Sequence, residues 1–78
     1  MTVQAYILVQ TEVGSTAGVR SAIAALPGVI AAEDVTGPYD IIVRAEAAGM
    51  DDLGRDVLSA IQQVGGITRT LTCPVVHL

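Results

Sequence analysis

Phenylalanine, tryptophan and lysine are all absent from this 78-residue chain, and two tyrosines are its whole aromatic content. Each shortage excludes something. Without lysine the positive charge rests on four arginines, Arg20, Arg44, Arg55 and Arg69, scattered against eight acids for a net charge of −4. A duplex-binding surface needs clustered cations to displace phosphate counterions, so direct binding to nucleic acid is not expected. The single cysteine, Cys73, can form no internal disulfide and fits a reducing compartment. The single histidine, His77, stands near the end of the chain with no serine or carboxylate partner in sequence, which is a poor kit for catalysis. No cofactor or metal site is expected. No apolar run approaches the roughly 20 residues of a membrane-spanning helix. The N-terminus lacks the basic start and long apolar core of a signal peptide. A cytoplasmic protein is expected, and the leading Met1 makes the chain read as a complete small protein.

What is abundant is apolar surface. Hydrophobic residues make up 51% of the sequence and charged residues 15%, with a mean hydropathy of +0.58. Residues 1–78 suffice for one domain, and a domain this small has little interior in which to hide so much apolar side chain. The excess points to a subunit interface, and hence to a homo-oligomer.

Periodicity gives the elements. Residues 3–10, VQAYILVQ, alternate as a strand, with Val3, Ala5, Ile7 and Val9 on one side and Gln4, Tyr6, Leu8 and Gln10 on the other. Ser15 or Thr16 can cap a helix in which Val19, Ala22, Ile23 and Leu26 recur at helical spacing, and Pro27-Gly28 stops it. Residues 29–36 read as a second strand, turned at Gly37-Pro38 into a third at 39–47, so these two should be antiparallel. A second helix is expected over residues 50–64, with Met50, Leu53, Val57, Leu58, Ile61 and Val64 as its stripe and Asp51 and Asp52 at its positive end. Gly65-Gly66 ends it. A last strand, 67–76, contains Pro74, which cannot donate to a ladder and places that strand at an edge or bulge.

The order β-α-β-β-α-β defines an α+β chain of ferredoxin-like type: a four-stranded antiparallel sheet with both helices on one face. The other face is left bare. Its expected residues are Tyr6 and Leu8 on the first strand and Asp40, Ile42, Arg44 and Glu46 on the third. Half apolar and half charged, it suits a copy of itself, so Tyr6, Leu8, Ile42 and Arg44 are expected at a dimer interface.

One stretch needs a further explanation. "TGPYDIIVRA", residues 36–45, places Asp40 at the mouth of a strand that should be buried. With "VGGITRTLT" after the second helix, it resembles the effector-binding (RAM) domain of the leucine-responsive Lrp/AsnC regulators. In that family a G-x-(Y/F)-D turn opens the third strand and a G-V-x-x-(T/R)-x-T stretch opens the fourth. The resemblance covers essentially the whole chain. It implies face-to-face dimers, commonly assembled into octamers, with small effectors, usually amino acids, lodged between dimers near the two motifs. It implies effector-binding roles for Gly37, Tyr39 and Asp40 from the first motif and for Gly66, Thr70 and Thr72 from the second. Asp40 would accept from an ammonium group, while threonine hydroxyls and N–H groups beside the glycines would receive a carboxylate. Full-length members carry a helix-turn-helix for which these residues leave no room, so a stand-alone sensor acting through full-length regulators is expected.

The residues also admit plainer roles. Asp40 can cap its own turn, Tyr39 can anchor a core or interface, and Thr70 and Thr72 suit any strand. Arg69 can meet a ligand carboxylate or sit in a solvated or inter-subunit ion pair. Two other functional classes compete with a sensor: a small cofactor-free monooxygenase-type enzyme and a purely structural oligomerisation module. An ACT-type amino-acid-binding domain shares the strand order, but its acidic-Pro-Gly turn is missing from "TEVGST".

Overall fold

The computed structural model describes residues 2–77. The strands are β1 (Val3–Thr11), β2 (Val29–Asp34), β3 (Ile41–Ala47) and β4 (Ile67–Pro74), in sheet order β2-β3-β1-β4, with every neighbouring pair antiparallel. Helix α1 (Thr16–Ala24) joins β1 to β2. Helix α2 occupies residues 50–62 between β3 and β4, as α-helical Met50–Asp52, a π-helical stretch Leu53–Leu58 and α-helical Ser59–Gln62. This is the ferredoxin-like arrangement. No described helix is long and apolar enough to cross a membrane.

Strand alternation decides the core. Ala5, Ile7 and Val9 of β1 and Ile41, Val43 and Ala45 of β3 are fully buried, and they meet Val19 and Ile23 of α1 and Leu53, Val57 and Ile61 of α2. Burying one such aliphatic side chain contributes about 1.5–3 kcal/mol, so this one layer supplies most of the drive to fold. Leu53, Val57 and Ile61 are spaced by four, which drifts around an ordinary helix. The wider π turn, in which the Ser59 N–H reaches back to the Gly54 carbonyl, holds all three on one line.

Several boundaries and faces differ from expectation. β2 ends at Asp34 and β3 begins only at Ile41, so residues 35–40 form a longer connection than the short turn expected. Ala22 and Met50 are exposed, and the apolar stripes are correspondingly narrower. Ser15 occupies the N-cap position but makes no side-chain capping bond. Pro74 closes β4 on an edge of the sheet, where a missing N–H costs nothing.

The face away from the helices carries Tyr6, Leu8 and Gln10 of β1, in register with Cys73, Leu71 and Arg69 of β4. On the β3 side, Tyr6 pairs with Arg44 and Leu8 with Ile42. Tyr6 and Leu71 keep 44% and 45% of their surface exposed, which no buried aliphatic layer would tolerate and which marks this face as uncovered.

Candidate functional site

The first motif lies where β1 ends and β3 begins. The Asp40 N–H donates to the Val9 carbonyl at 2.9 Å, and its own carbonyl accepts from the Val35 N–H at 2.9 Å. Val9 and Thr11 have the same parity on β1, so the Thr11 N–H points toward β3 beyond the last β3 residue that could receive it. The Asp40 carboxylate takes that place. Its Oδ2 accepts from the Thr11 N–H at 2.8 Å and from the Thr11 hydroxyl at 3.2 Å. Asp40, expected on the bare face, turns instead into the end of β1. The carboxylate at the mouth of a core strand therefore closes the ladder where the strand itself stops.

The network continues into α1. The Thr11 and Thr16 hydroxyls are 2.7 Å apart. An ionised carboxylate only accepts, so the Thr11 proton goes to Asp40 and Thr16 donates to Thr11. Thr16, read from the sequence as a helix cap, thus ties the first turn of α1 to the β2–β3 connection. Neither Thr11 nor Thr16 was expected at the site. The signal available in sequence was parity: Thr11 follows Val9 by two on a strand whose partner begins with an acid.

The second motif has a packing role. The Gly66 carbonyl accepts from the Glu12 N–H at 2.8 Å. Gly66 has φ +96°, and a Cβ there would stand 3.0 Å from both Ser15 Cβ and Val19 Cγ2, so the missing side chain admits α1 rather than open solvent. Thr70 and Thr72 pair with Val9 and Ile7, which puts them on the helix side of the sheet. Gly37, by contrast, is open, with nothing within 4 Å of where its Cβ would lie.

Tyr39 faces elsewhere. With Leu8, Val35, Thr36, Pro38 and Ile42 it lines an open groove of about 460 Å³. Leu8 and Ile42 place this groove on the bare face, at the end where the first motif lies. Its wall is aliphatic and aromatic, and the Thr36 and Tyr39 hydroxyls are its side-chain polar groups. Of the first motif, the structure thus puts Tyr39 in the groove wall, while Gly37 and Asp40 are not among the lining residues and the Asp40 carboxylate turns to Thr11. Within one chain it leaves Thr70 and Thr72 on the other side of the sheet and Gly66 against α1.

A second groove, about 340 Å³, lies at the far end of β3 between Pro27, Gly28, Glu46, Ala47, Ala48, Asp52, Asp56 and Val57. The Arg55 guanidinium bridges Asp56 and Asp52 beside it, and its pKa is raised, first by Asp56 and then by Asp52.

Residues 4–77 match the family model of the Lrp/AsnC ligand binding domain. The chain belongs to that family. An uncharacterized HTH-type transcriptional regulator of Pyrococcus furiosus is 32% identical over 54 residues, which cover 69% of this chain and 36% of the regulator. The chain therefore spans about a third of the length of the curated regulators it matches. A Thermus thermophilus protein of known structure matches 97% of this chain and 95% of its own, with 28% identity and a TM-score of 0.90. A transcriptional regulator of Neisseria meningitidis, solved in complex with L-methionine, has the same fold at 19% identity and a TM-score of 0.83, covering 96% of this chain and 50% of its own.

Proposed function

We propose that this chain is an effector-binding module that takes an amino acid in the groove beside Tyr39. It acts as a dimer joined through the bare sheet face, with further assembly toward octamers. It influences transcription through full-length Lrp/AsnC-type regulators, makes no nucleic-acid contact of its own and catalyses no reaction. The observation that carries this reading is the groove itself. It opens on the first motif of a ligand-binding family, and its volume and apolar wall suit the side chain of a small amino acid. The L-methionine complex of the Neisseria meningitidis regulator supports the ligand class.

In this reading Gly37, Tyr39 and Asp40 border the ligand. Gly66, Thr70 and Thr72 serve by building the sheet end and seating α1. Tyr6, Leu8, Ile42 and Arg44 meet the second copy, which closes the groove from above and turns an open surface into an enclosed site. The residues that line the groove include no acid, histidine or cysteine to serve as a base, and Asp40 next to them is engaged by Thr11. The test is a thermal-shift screen of the standard amino acids run beside light scattering. A ligand at one hundred times its Kd adds about 2.7 kcal/mol, which in a domain of this size raises Tm by roughly 10 °C or more. A dimer with one or a few stabilising amino acids supports the proposal. A monomer indifferent to all of them refutes it.

A further inference from the structure

The groove beside Tyr39 contains no cation, yet an amino acid carries a carboxylate that must be met. Two of the four arginines are already engaged within the chain: Arg20 pairs with Asp34 at 3.3 Å, and Arg55 with Asp52 and Asp56. The remaining two, Arg44 and Arg69, stand exposed on the bare face, and among the described residues neither has a carboxylate within ion-pair distance. Arg44 lies in the middle of the sheet opposite Tyr6 and donates to Gln4 Oε1 at 3.5 Å. Arg69 lies at the same end as the groove.

The register fixes how near. Arg69 pairs with Gln10, which puts it diagonal to Leu8 of the groove wall on the same face. Diagonal neighbours across an antiparallel pair lie about 7–8 Å apart, within reach of a long side chain. Gln10 spans part of that gap. Its side chain donates to the Pro38 carbonyl on the groove wall at 3.4 Å, while the Thr68 hydroxyl of β4 has its shorter contact, 3.2 Å, with the Gln10 backbone carbonyl. An arginine is longer than a glutamine, and its planar fork matches a carboxylate with two parallel bonds.

We infer that Arg69 is the anion-binding residue of the site, and that the ligand class is a small apolar carboxylate held by its acid group. This deepens the effector reading and rests on it. It replaces the glycine N–H groups as the carboxylate's partner. It also makes the carboxylate the ligand's anchor and the amino group secondary: of the two acids beside the groove, Asp40 already serves Thr11, and Glu33, opposite Ile42 on β2, is exposed outside the groove wall. An amino acid and its 2-oxo acid should then both bind, while the decarboxylated amine should not.

The probes are L-leucine, L-methionine and L-phenylalanine, their 2-oxo acids, and their decarboxylated amines. They are titrated by calorimetry into wild type, Arg69→Gln and a distant control, Arg55→Gln. For the tightest-binding probe, Arg69→Gln should lose roughly 10- to 150-fold in affinity, the range for bonds to a charged group, while remaining dimeric by light scattering. Arg55→Gln should match wild type. An amine that binds as tightly as its acid overturns the inference, and so does an Arg69→Gln variant that binds every probe as wild type does. Loss of the dimer with Arg69→Gln assigns Arg69 to a contact between copies and overturns it too. In these three cases the effector reading survives. If wild type binds none of the probes the inference falls, and the screen of all standard amino acids decides whether the wider reading falls with it.

Discussion

Removing the Asp40 carboxylate should cost more stability than an exposed turn residue normally does, and the structure gives the size of the loss. In Asp40→Ala the Thr11 N–H, part-buried at the end of β1, loses its acceptor at 2.8 Å, and the Thr11 hydroxyl loses one at 3.2 Å. Bonds to a charged acceptor are worth about 1.5–3 kcal/mol, and the orphaned N–H sits where water only partly replaces the carboxylate. A total of about 2–4 kcal/mol follows. Asp40→Asn keeps one oxygen for the Thr11 N–H but surrenders the charge, and should cost about 1 kcal/mol. Urea unfolding at fixed protein concentration measures both, and hydrogen exchange at the Thr11 amide should speed up in the alanine variant and much less in the asparagine one. Thr11→Val completes a double-mutant cycle, since it keeps the N–H bond and removes only the hydroxyl. An alanine variant within about 0.5 kcal/mol of wild type, the range of an ordinary surface change, would refute the ladder-closing role of this carboxylate.

Two glycines with nearly the same backbone separate strain from packing. Gly14 has φ +84° with open space around it, whereas at Gly28, φ +87°, a Cβ would stand 2.7 Å from Val57 Cγ2 and 3.1 Å from the Glu46 carbonyl oxygen. Gly14→Ala should cost about 1–2 kcal/mol, and Gly28→Ala about 1–3 kcal/mol more, read from their urea midpoints; equal costs would contradict the packing described for α2. Leu8→Asp, on the bare face, should convert the dimer to a monomer by light scattering while circular dichroism still shows the fold; a persisting dimer would place the interface elsewhere. Purified protein should give no mobility shift with duplex DNA at physiological salt, and a salt-sensitive shift would contradict the reading of its dispersed arginines.

Much of the fold was legible because period-two and helical patterns are strong in this chain. Val3, Ala5, Ile7 and Val9 declare one face of β1, and three of the four are fully buried. Pro27-Gly28 and Gly65-Gly66 mark the helix ends. The π turn was not legible, because spacing by four in Leu53, Val57 and Ile61 fits an ordinary helix nearly as well and only the backbone bonds decide. The exposed Ala22 and Met50 show the same limit: an apolar residue at helical spacing need not have a neighbour to pack on.

The site was legible as a place more than as a set of contacts. The first motif does stand beside a groove, but the direction of Asp40 depended on where β3 begins, at Ile41, two residues after the expected start. Thr70 and Thr72 fall on the helix side because β4 pairs in one particular register with β1, with a slip between Gln10 and Thr11, and register is a long-range property that a local motif does not encode. Thr11 and Thr16 carry no motif at all and enter through a hydrogen-bond chain between elements distant in sequence.

The most direct test of the effector reading is a two-dimensional ¹⁵N–¹H correlation titration of the wild-type protein with each standard amino acid. A saturable shift centred on the amides of Leu8, Thr36, Tyr39 and Ile42, produced by at least one amino acid, is the result predicted. Shifts centred instead on Gly28, Ala47 and Val57 of the second groove, or no saturable shift with any amino acid, would contradict it.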